Sequence, residues 1–165
     1  MFNGEFEHKI DAKGRVFVPR RILEEIRDPA ERNHFHVVVS EEGCLDVHTE
    51  TGFRRYVQER LVSQRTAQGA RMLKRRIGAY SRKIPLDAQG RLTLPEELRQ
   101  KIQLGGEAMI VGSINYFEIW DKAVYRSQAL PEAEAYYQAE ADGFLSEHFL
   151  GDAFPGASGA GDGTQ

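Results

Sequence analysis

The 165-residue chain has a single cysteine, Cys44, and no long apolar run. One cysteine cannot form a disulfide within the chain, which excludes a disulfide-stabilised secreted scaffold. No stretch approaches the roughly 18 apolar residues of a membrane span, and the start of the sequence lacks the basic-then-apolar order of a signal peptide. These absences predict a soluble, cytoplasmic protein with no membrane partner.

Lysine and arginine are absent after Arg126, so all 22 of these residues lie at or before that position. The remaining segment is acidic, so the formal net charge of −3 conceals a basic body and an acidic end. A basic body is compatible with a nucleic-acid partner. The Gly-rich residues 151–165 are expected to be disordered.

Motifs for catalysis are absent as well. No Gly-rich phosphate loop follows a strand, and no serine lies in a G-x-S-x-G elbow. We therefore expect no enzymatic activity, no cofactor and no small-molecule substrate. His34 and His36 share a predicted strand face, and His48 and Cys44 are further metal-ligand types, but their spacing favours ordinary strand histidines over a metal site.

An internal repeat is the most informative pattern. IDAKGRVFVP, residues 10–19, returns as LDAQGRLTLP, residues 86–95, and residues 37–48 align with residues 109–120. Each copy predicts strand, turn, strand, short helix, strand, turn, strand. A unit of about 45 residues buries too little surface to be stable alone, so we expect the two units to pack into one β-rich body.

Apolar and turn residues predict the individual elements. The first unit should have strands at residues 5–10, 15–18, 35–39 and 44–48. A short helix should begin at Pro19, and residues 50–78 should be helical after a cap at Thr49 or Thr51. Asp121 should cap a later amphipathic helix. The predicted divisions are a first unit at 1–50, connecting helices at 51–78, a second unit at 79–121, a helical segment at 122–150 and a tail at 151–165.

One face of the connecting helices is rich in cations. It carries Arg54, Arg55, Arg60, Arg65, Arg71, Lys74, Arg75 and Arg76. Such a face is either solvated or in contact with phosphates, and the sequence leaves both interpretations open.

The turn DAKGR contains the main candidate for recognition. Asp11 can accept backbone N–H bonds within the turn, and Gly14 supplies a positive φ. Arg15 begins a strand close enough to Asp11 for a bond that fixes its guanidinium. Either the pair is purely structural, or it presents Arg15 to guanine in the DNA major groove, as β-ribbon proteins do.

The two repeats differ in charge beside this turn. Lys13, Arg15, Arg20 and Arg21 of the first repeat correspond to Gln89, Arg91, Glu96 and Glu97 of the second. We therefore expect phosphates to be drawn to the first repeat. The acidic residues that follow Arg91 should reduce its contribution.

The opening MFNGEFEHKIDAKGRVFVPRRI, the second LDAQGRLTLP and the string GSINYFEIWD, residues 112–121, resemble the MraZ family of bacterial transcriptional regulators. The resemblance covers about residues 1–140. The MraZ family belongs to the AbrB-like swapped-hairpin class. It implies an α+β fold, a duplicated swapped-hairpin β-barrel with flanking helices, and ring-shaped homo-oligomers. It also implies binding of double-stranded DNA at short direct repeats upstream of the division and cell-wall gene cluster, including the protein's own gene, and association with the nucleoid.

The resemblance and the turn chemistry together select the candidate residues. The DNA-binding candidates are Asp11, Lys13, Gly14, Arg15, Arg20 and Arg21, and the second-repeat motif is Asp87, Gly90 and Arg91. A non-catalytic interaction protein, or the antidote of a toxin pair, is an alternative that uses the same fold. RNA is a weaker candidate because no exposed aromatic pair forms a stacking platform on a strand.

Overall fold

The computed structural model describes residues 1–145 as a mixture of strands and helices, which confirms the α+β prediction. The strands are β1 Glu5–Lys9, β2 Arg15–Phe17, β3 His34–Val39, β4 Leu45–His48, β5 Ser81–Pro85, β6 Arg91–Thr93, β7 Glu107–Ser113 and β8 Tyr116–Asp121. The helices are α1 Arg20–Glu25, α2 Glu50–Val62, α3 Ala67–Tyr80, α4 Glu96–Lys101, α5 Lys122–Val124 and α6 Leu130–Leu145. A 3-10 turn at Pro29–Arg32 and a π-helical segment at Tyr125–Ala129 complete the order. The tail predicted at residues 151–165 lies outside the described residues.

Strand pairing joins the two repeats. Six strands form an antiparallel sheet in the order β1-β7-β8-β4-β3-β5, and β2 and β6 form a separate two-stranded ribbon. The pairs β1 with β7, β3 with β5, β4 with β8 and β2 with β6 each take one strand from either side of the connecting helices. The sheet is open, with β1 and β5 at its two ends. The expectation that the two units form one β-rich body is confirmed by this pairing.

Alternation along the strands directs one face of the sheet into a single core. Phe117 of β8 is fully buried there, and Val16 and Leu92 of the ribbon lie in the same cluster. Ile22 of α1 and Leu98 of α4 belong to the same buried cluster. The ribbon therefore covers the inner face of the sheet and exposes its own outer side.

The helices between the repeats form as predicted, with one interruption. Thr49 accepts a hydrogen bond from Gly52 N at 3.2 Å and caps α2. After α2 ends, the Ser63 hydroxyl donates to a carbonyl of the last turn, and Thr66 caps α3. These side chains compete with the backbone for hydrogen bonds and explain why residues 63–66 separate two helices.

Two cap positions define the ends of shorter helices. α1 begins at Arg20 rather than at Pro19, because Pro19 has an extended ψ of 133° and precedes the first helical turn. Asp121 accepts from Ala123 N at 3.0 Å and from Val124 N at 3.3 Å, which confirms the predicted cap.

The chain forms two compact units. Met1–Tyr125 is the first and contains all eight strands, and the second begins at Arg126 and includes α6. Tyr136 and Tyr137 of α6 are exposed. Within residues 1–145, no helix is both long enough and apolar enough to cross a membrane.

The outer face of the sheet buries one carboxyl group beside a second that is partly exposed. Asp46 of β4 lies opposite Glu118 of β8 and is 7% exposed. Burial, together with the charge of Glu118, raises the pKa of Asp46 to about 7. The Cys44 thiol donates to Asp46 at 3.5 Å, and burial raises the pKa of this thiol. Asp46 therefore retains its proton to an unusually high pH.

We predict that Asp46→Asn stabilises the protein more at pH 8 than at pH 5. Because the folded-state pKa of Asp46 is raised, the stability associated with its proton is complete below about pH 4 and is lost as the pH rises through about 7. Asparagine has no proton to lose. The difference in free energy of unfolding between variant and wild type should grow by at most about 1.4 kcal/mol per pH unit across that window.

Urea unfolding at pH 5, 6.5 and 8 measures this difference. Glu134→Gln, on the exposed surface of α6, is the control for removing one carboxylate. A difference that stays constant across the three pH values would show that Asp46 is already ionised at pH 5.

Candidate nucleic-acid interface

The first D-x-x-G-R turn holds its arginine in place. Asp11 Oδ1 accepts from the backbone N–H groups of Lys13 at 2.9 Å and Arg15 at 3.0 Å, and Arg15 Nε donates to Asp11 Oδ2 at 2.6 Å. Gly14 has a φ of 74°. The backbone N–H of Arg15 is the largest of the interactions that lower the pKa of Asp11. These contacts confirm the predicted turn geometry.

The second turn repeats the same hydrogen bonds. Asp87 Oδ1 accepts from the N–H groups of Gln89 and Arg91, both at 2.9 Å, and Arg91 Nε donates to Asp87 Oδ2 at 2.8 Å. Gly90 has a φ of 80°. One contact has no counterpart in the first turn, because Arg91 Nη2 also donates to Gln89 Oε1 at 3.0 Å.

The β2–β6 ribbon places both arginines on one face. Arg15 lies opposite Thr93, and Phe17 lies opposite Arg91, while the alternate positions point into the core. The Arg91 guanidinium is 5.7 Å from the centre of the Phe17 ring, and Phe17 is 48% exposed. We call the surface formed by Arg15, Phe17, Arg91 and Thr93 the arginine ribbon. The sequence repeat indicates two turns but does not indicate that they share a surface.

Antiparallel pairing brings each turn beside the helix of the other repeat. Leu94 N donates to Gly14 O at 2.9 Å, and the side chain of Arg99 in α4 lies against Gly14. Val18 N donates to Gly90 O at 2.9 Å just before α1 begins. α4 therefore begins beside the first turn, and α1 begins beside the second.

This exchange changes the expected distribution of charge. Glu96 and Glu97 follow Arg91 along the chain, but their helix begins at the first turn. Arg20 and Arg21 follow Arg15, but their helix begins at the second turn. The acidic residues therefore do not lie beside Arg91, contrary to what their position in the sequence indicates. Lysine or arginine side chains lie at both ends of the ribbon.

Some of the charged residues of α1 and α4 already form ion pairs. Arg20 Nε donates to Glu24 at 2.9 Å, and Arg82 pairs with Glu97 at 2.6 Å. Lys13 and Arg21 are exposed and form no ion pair with any residue of the described chain, 1–145. Their charges are available to a ligand at the two ends of the ribbon.

The arginine-rich face of α2 and α3 lies elsewhere. α2 packs on the outer face of the sheet, where the His36 ring stacks on Phe53 with centroids 4.3 Å apart and His48 lies 4.9 Å from Tyr56. Strand alternation points these histidines away from the core that the ribbon covers. α2 therefore lies on the opposite side of the sheet from the arginine ribbon.

The candidate metal ligands separate into different environments. His34 and His36 share a strand face, as predicted, and both bond Glu50, the first residue of α2. Cys44 is buried beside Asp46, and His48 is 2% exposed, so neither joins them. The sequence patterns do not identify Glu50 as a partner of the two histidines. Glu50 begins α2, and β4 separates it along the chain from β3, which carries the histidines.

Comparison with known proteins agrees with the repeated motif. A family model described as "MraZ protein, putative antitoxin-like" matches residues 1–76 and 78–145. Proteins named transcriptional regulator MraZ are similar to this chain. The protein from Shewanella amazonensis is 35% identical over 128 residues, which are 78% of this chain and 84% of that protein. The proteins from Shewanella loihica and a Ruegeria species are 31% and 32% identical over 152 and 167 residues, covering 92% and 96% of this chain and 98% of each relative.

Gly14→Ala should destabilise the protein more than Gly90→Ala, although both glycines have the same turn conformation. An L-residue at positive φ costs roughly 1–2 kcal/mol at either site. At position 14 a Cβ would also lie 2.8 Å from Leu94 O and 2.9 Å from Arg99 Nε, whereas at position 90 the nearest atom is Leu23 Cδ1 at 3.9 Å. Such overpacking adds about 1–3 kcal/mol. Urea midpoints of the two variants test this, and equal losses would contradict the close approach of α4 to the first turn.

Proposed function

Because this chain belongs to the MraZ family, we propose that it is a DNA-binding transcriptional regulator that reads base edges with its arginine ribbon. The observation that supports this role is the presentation of Arg15 and Arg91 on one exposed face of a two-stranded ribbon. A ribbon of this width fits the major groove, where a guanidinium can bond the O6 and N7 atoms of guanine.

Arg15 is the better prepared of the two arginines. Its Nε is held by Asp11, and no other residue in the described chain bonds its two Nη groups, so both can donate to one guanine. Arg91 has Nε on Asp87, Nη2 on Gln89 and its guanidinium near Phe17. Its side chain is 21% exposed, against 31% for Arg15. We assign the principal base contact to Arg15 and an auxiliary contact to Arg91.

Phosphate contacts complete the proposed interface. Lys13 lies in the first turn, and Arg20 and Arg21 begin the helix beside the second turn, so cations flank the ribbon at both ends. Asp11, Asp87, Gly14 and Gly90 shape the turns and orient the arginines rather than contacting DNA. The affinity should fall as salt rises, because each phosphate contact releases counterions.

The exchange of strands supports the swapped-hairpin architecture. β1 pairs with β7 rather than with β2, and β5 pairs with β3 rather than with β6. We propose that the six-stranded sheet and the ribbon together form the swapped-hairpin β-barrel of the AbrB-like class. The proposed organisation keeps two repeat units, at 1–50 and 79–121, around the connecting helices at 51–78.

Assembly into a ring would give the ribbon its avidity. One ribbon covers only a few base pairs, but several ribbons at fixed intervals bind adjacent sites with a high effective concentration. We propose that a homo-oligomeric ring engages short direct repeats upstream of the division and cell-wall gene cluster, including the protein's own gene, while associated with the nucleoid. The exposed Tyr136 and Tyr137 of α6 are candidates for subunit contact.

An antidote role is the second candidate, because the matching family model includes the word antitoxin in its description. This role and DNA binding use the same fold, but they differ in what the arginine ribbon contacts. Specific retardation of a promoter fragment by the purified protein supports the regulator. Retention of a toxin partner without retardation of DNA would support the antidote.

We predict that Arg15→Ala abolishes sequence-specific retardation and that Arg91→Ala weakens it less. A lost bidentate contact to guanine costs about 1–3 kcal/mol for each ribbon engaged, and the effect multiplies across a ring. Arg20→Ala is the matched control, since its loss should lower affinity for all sequences and flatten the salt dependence. Circular dichroism checks that each variant is folded. Unchanged specificity in folded Arg15→Ala would exclude the ribbon as the reading surface.

The interval between DNA repeats should matter as much as their sequence. Inserting about five base pairs between two repeats rotates the second site to the far side of the duplex, where a rigid ring cannot reach it. We expect most of the avidity to disappear, and an insertion of about ten base pairs to restore part of it. Gel retardation on the three spacer variants measures this. Equal affinity for all three would mean that each ribbon binds independently.

A further inference from the structure

Three metal-ligand side chains converge on the outer face of the sheet, away from the arginine ribbon. His34 Nε2 and His36 Nε2 lie 3.2 Å and 2.9 Å from Glu50 Oε2. The three ligand atoms lie within 4.8 Å of one another, and all three residues are partly exposed. An ion in solvent can therefore reach the point on which they converge.

The backbone and its neighbours hold these ligands in place. His34 and His36 are two residues apart on β3 and point to the same side. The His36 ring is stacked on Phe53, with the two planes 4° apart. Glu50 is the first residue of α2, which Thr49 caps. The cluster thus joins a strand to the start of a helix with little freedom of rotation at His36.

We propose that His34, His36 and Glu50 form a binding site for a divalent transition-metal ion of the zinc class. Two imidazole nitrogens and one carboxylate oxygen suit zinc, nickel or copper, whereas magnesium and calcium require oxygen ligands throughout. Water completes the coordination of the ion. The ion would link the start of α2 to β3. It would not contact DNA bound at the ribbon, because the ribbon lies on the other side of the sheet.

Lys83 controls access to this site. Its ammonium group lies 3.0 Å from Glu50 Oε2, the same oxygen that the two histidines approach, and so takes the position of a cation. The Lys83 side chain is 53% exposed and can move into solvent when an ion binds. Arg54 bonds the other oxygen, Glu50 Oε1, at 3.1 Å and need not move. Removing the Lys83 charge should therefore tighten metal binding.

Zinc binding to the untagged full-length protein tests the site. A chromophoric chelator that competes for Zn²⁺ measures affinity, and thermal unfolding with and without Zn²⁺ measures linkage to stability. We expect one ion per chain and a higher melting temperature with zinc, but no shift with Mg²⁺.

The variants distinguish this site from incidental binding. Lys83→Met should bind zinc about tenfold more tightly than wild type, because a competing charge is removed. His34→Gln and Glu50→Gln should each weaken binding by about tenfold or more. His8→Gln is the matched control, since it removes a histidine outside the cluster and should leave the affinity unchanged. If Lys83→Met binds no more tightly than wild type, or if His34→Gln binds equally well, the proposed site is wrong.

Discussion

The antiparallel pairing of β2 with β6 is the contact on which the rest of the surface depends. It is only three residues long on each strand, yet it sets the position of both turns and of the helix that follows each strand. Because the strands run in opposite directions, the end of one lies at the beginning of the other. Each turn consequently lies against the opposite repeat, and the two arginines share one exposed face.

The two faces of the six-stranded sheet have different chemistry. The inner face is apolar and supports the ribbon, so that the arginines rest on a rigid base. The outer face buries Asp46 and His48 beneath α2 and carries the partly exposed cluster of His34, His36 and Glu50. Polar groups that are buried with few partners cost free energy, and Asp46 and His48 both lie on the face of the sheet that the ribbon does not cover.

Local features of this fold can be predicted from the sequence, and distant pairings cannot. The spacing of Asp11, Gly14 and Arg15 determines the turn because every hydrogen bond in it spans at most four residues. Strand positions follow from alternation for the same reason. The choice of β7 as the partner of β1 depends on the packing of the whole core, since any apolar strand of similar length offers the same hydrogen bonds.

The candidate sites divide in the same way. The sequence repeat identifies Asp87 and Arg91. It does not show that α1 begins beside them, because the pairing of β2 with β6 brings α1 to the second turn. Glu50 lies beside His36 because β4 runs antiparallel to β3 and ends next to this histidine, just before α2 begins. Such contacts depend on the order of strands in the sheet, which composition and periodicity do not encode.

The pairing of β1 with β7 also has a consequence for synthesis on the ribosome. About 100 residues separate these strands along the chain, so β1 emerges long before its partner exists. At translation rates of about 5–20 residues per second, the first strand waits roughly 5–20 s with its edge unpaired. The nascent chain must avoid association with neighbouring copies during that interval. The acidic Glu5 and Glu7 on this strand place like charges along the waiting edge and oppose such association.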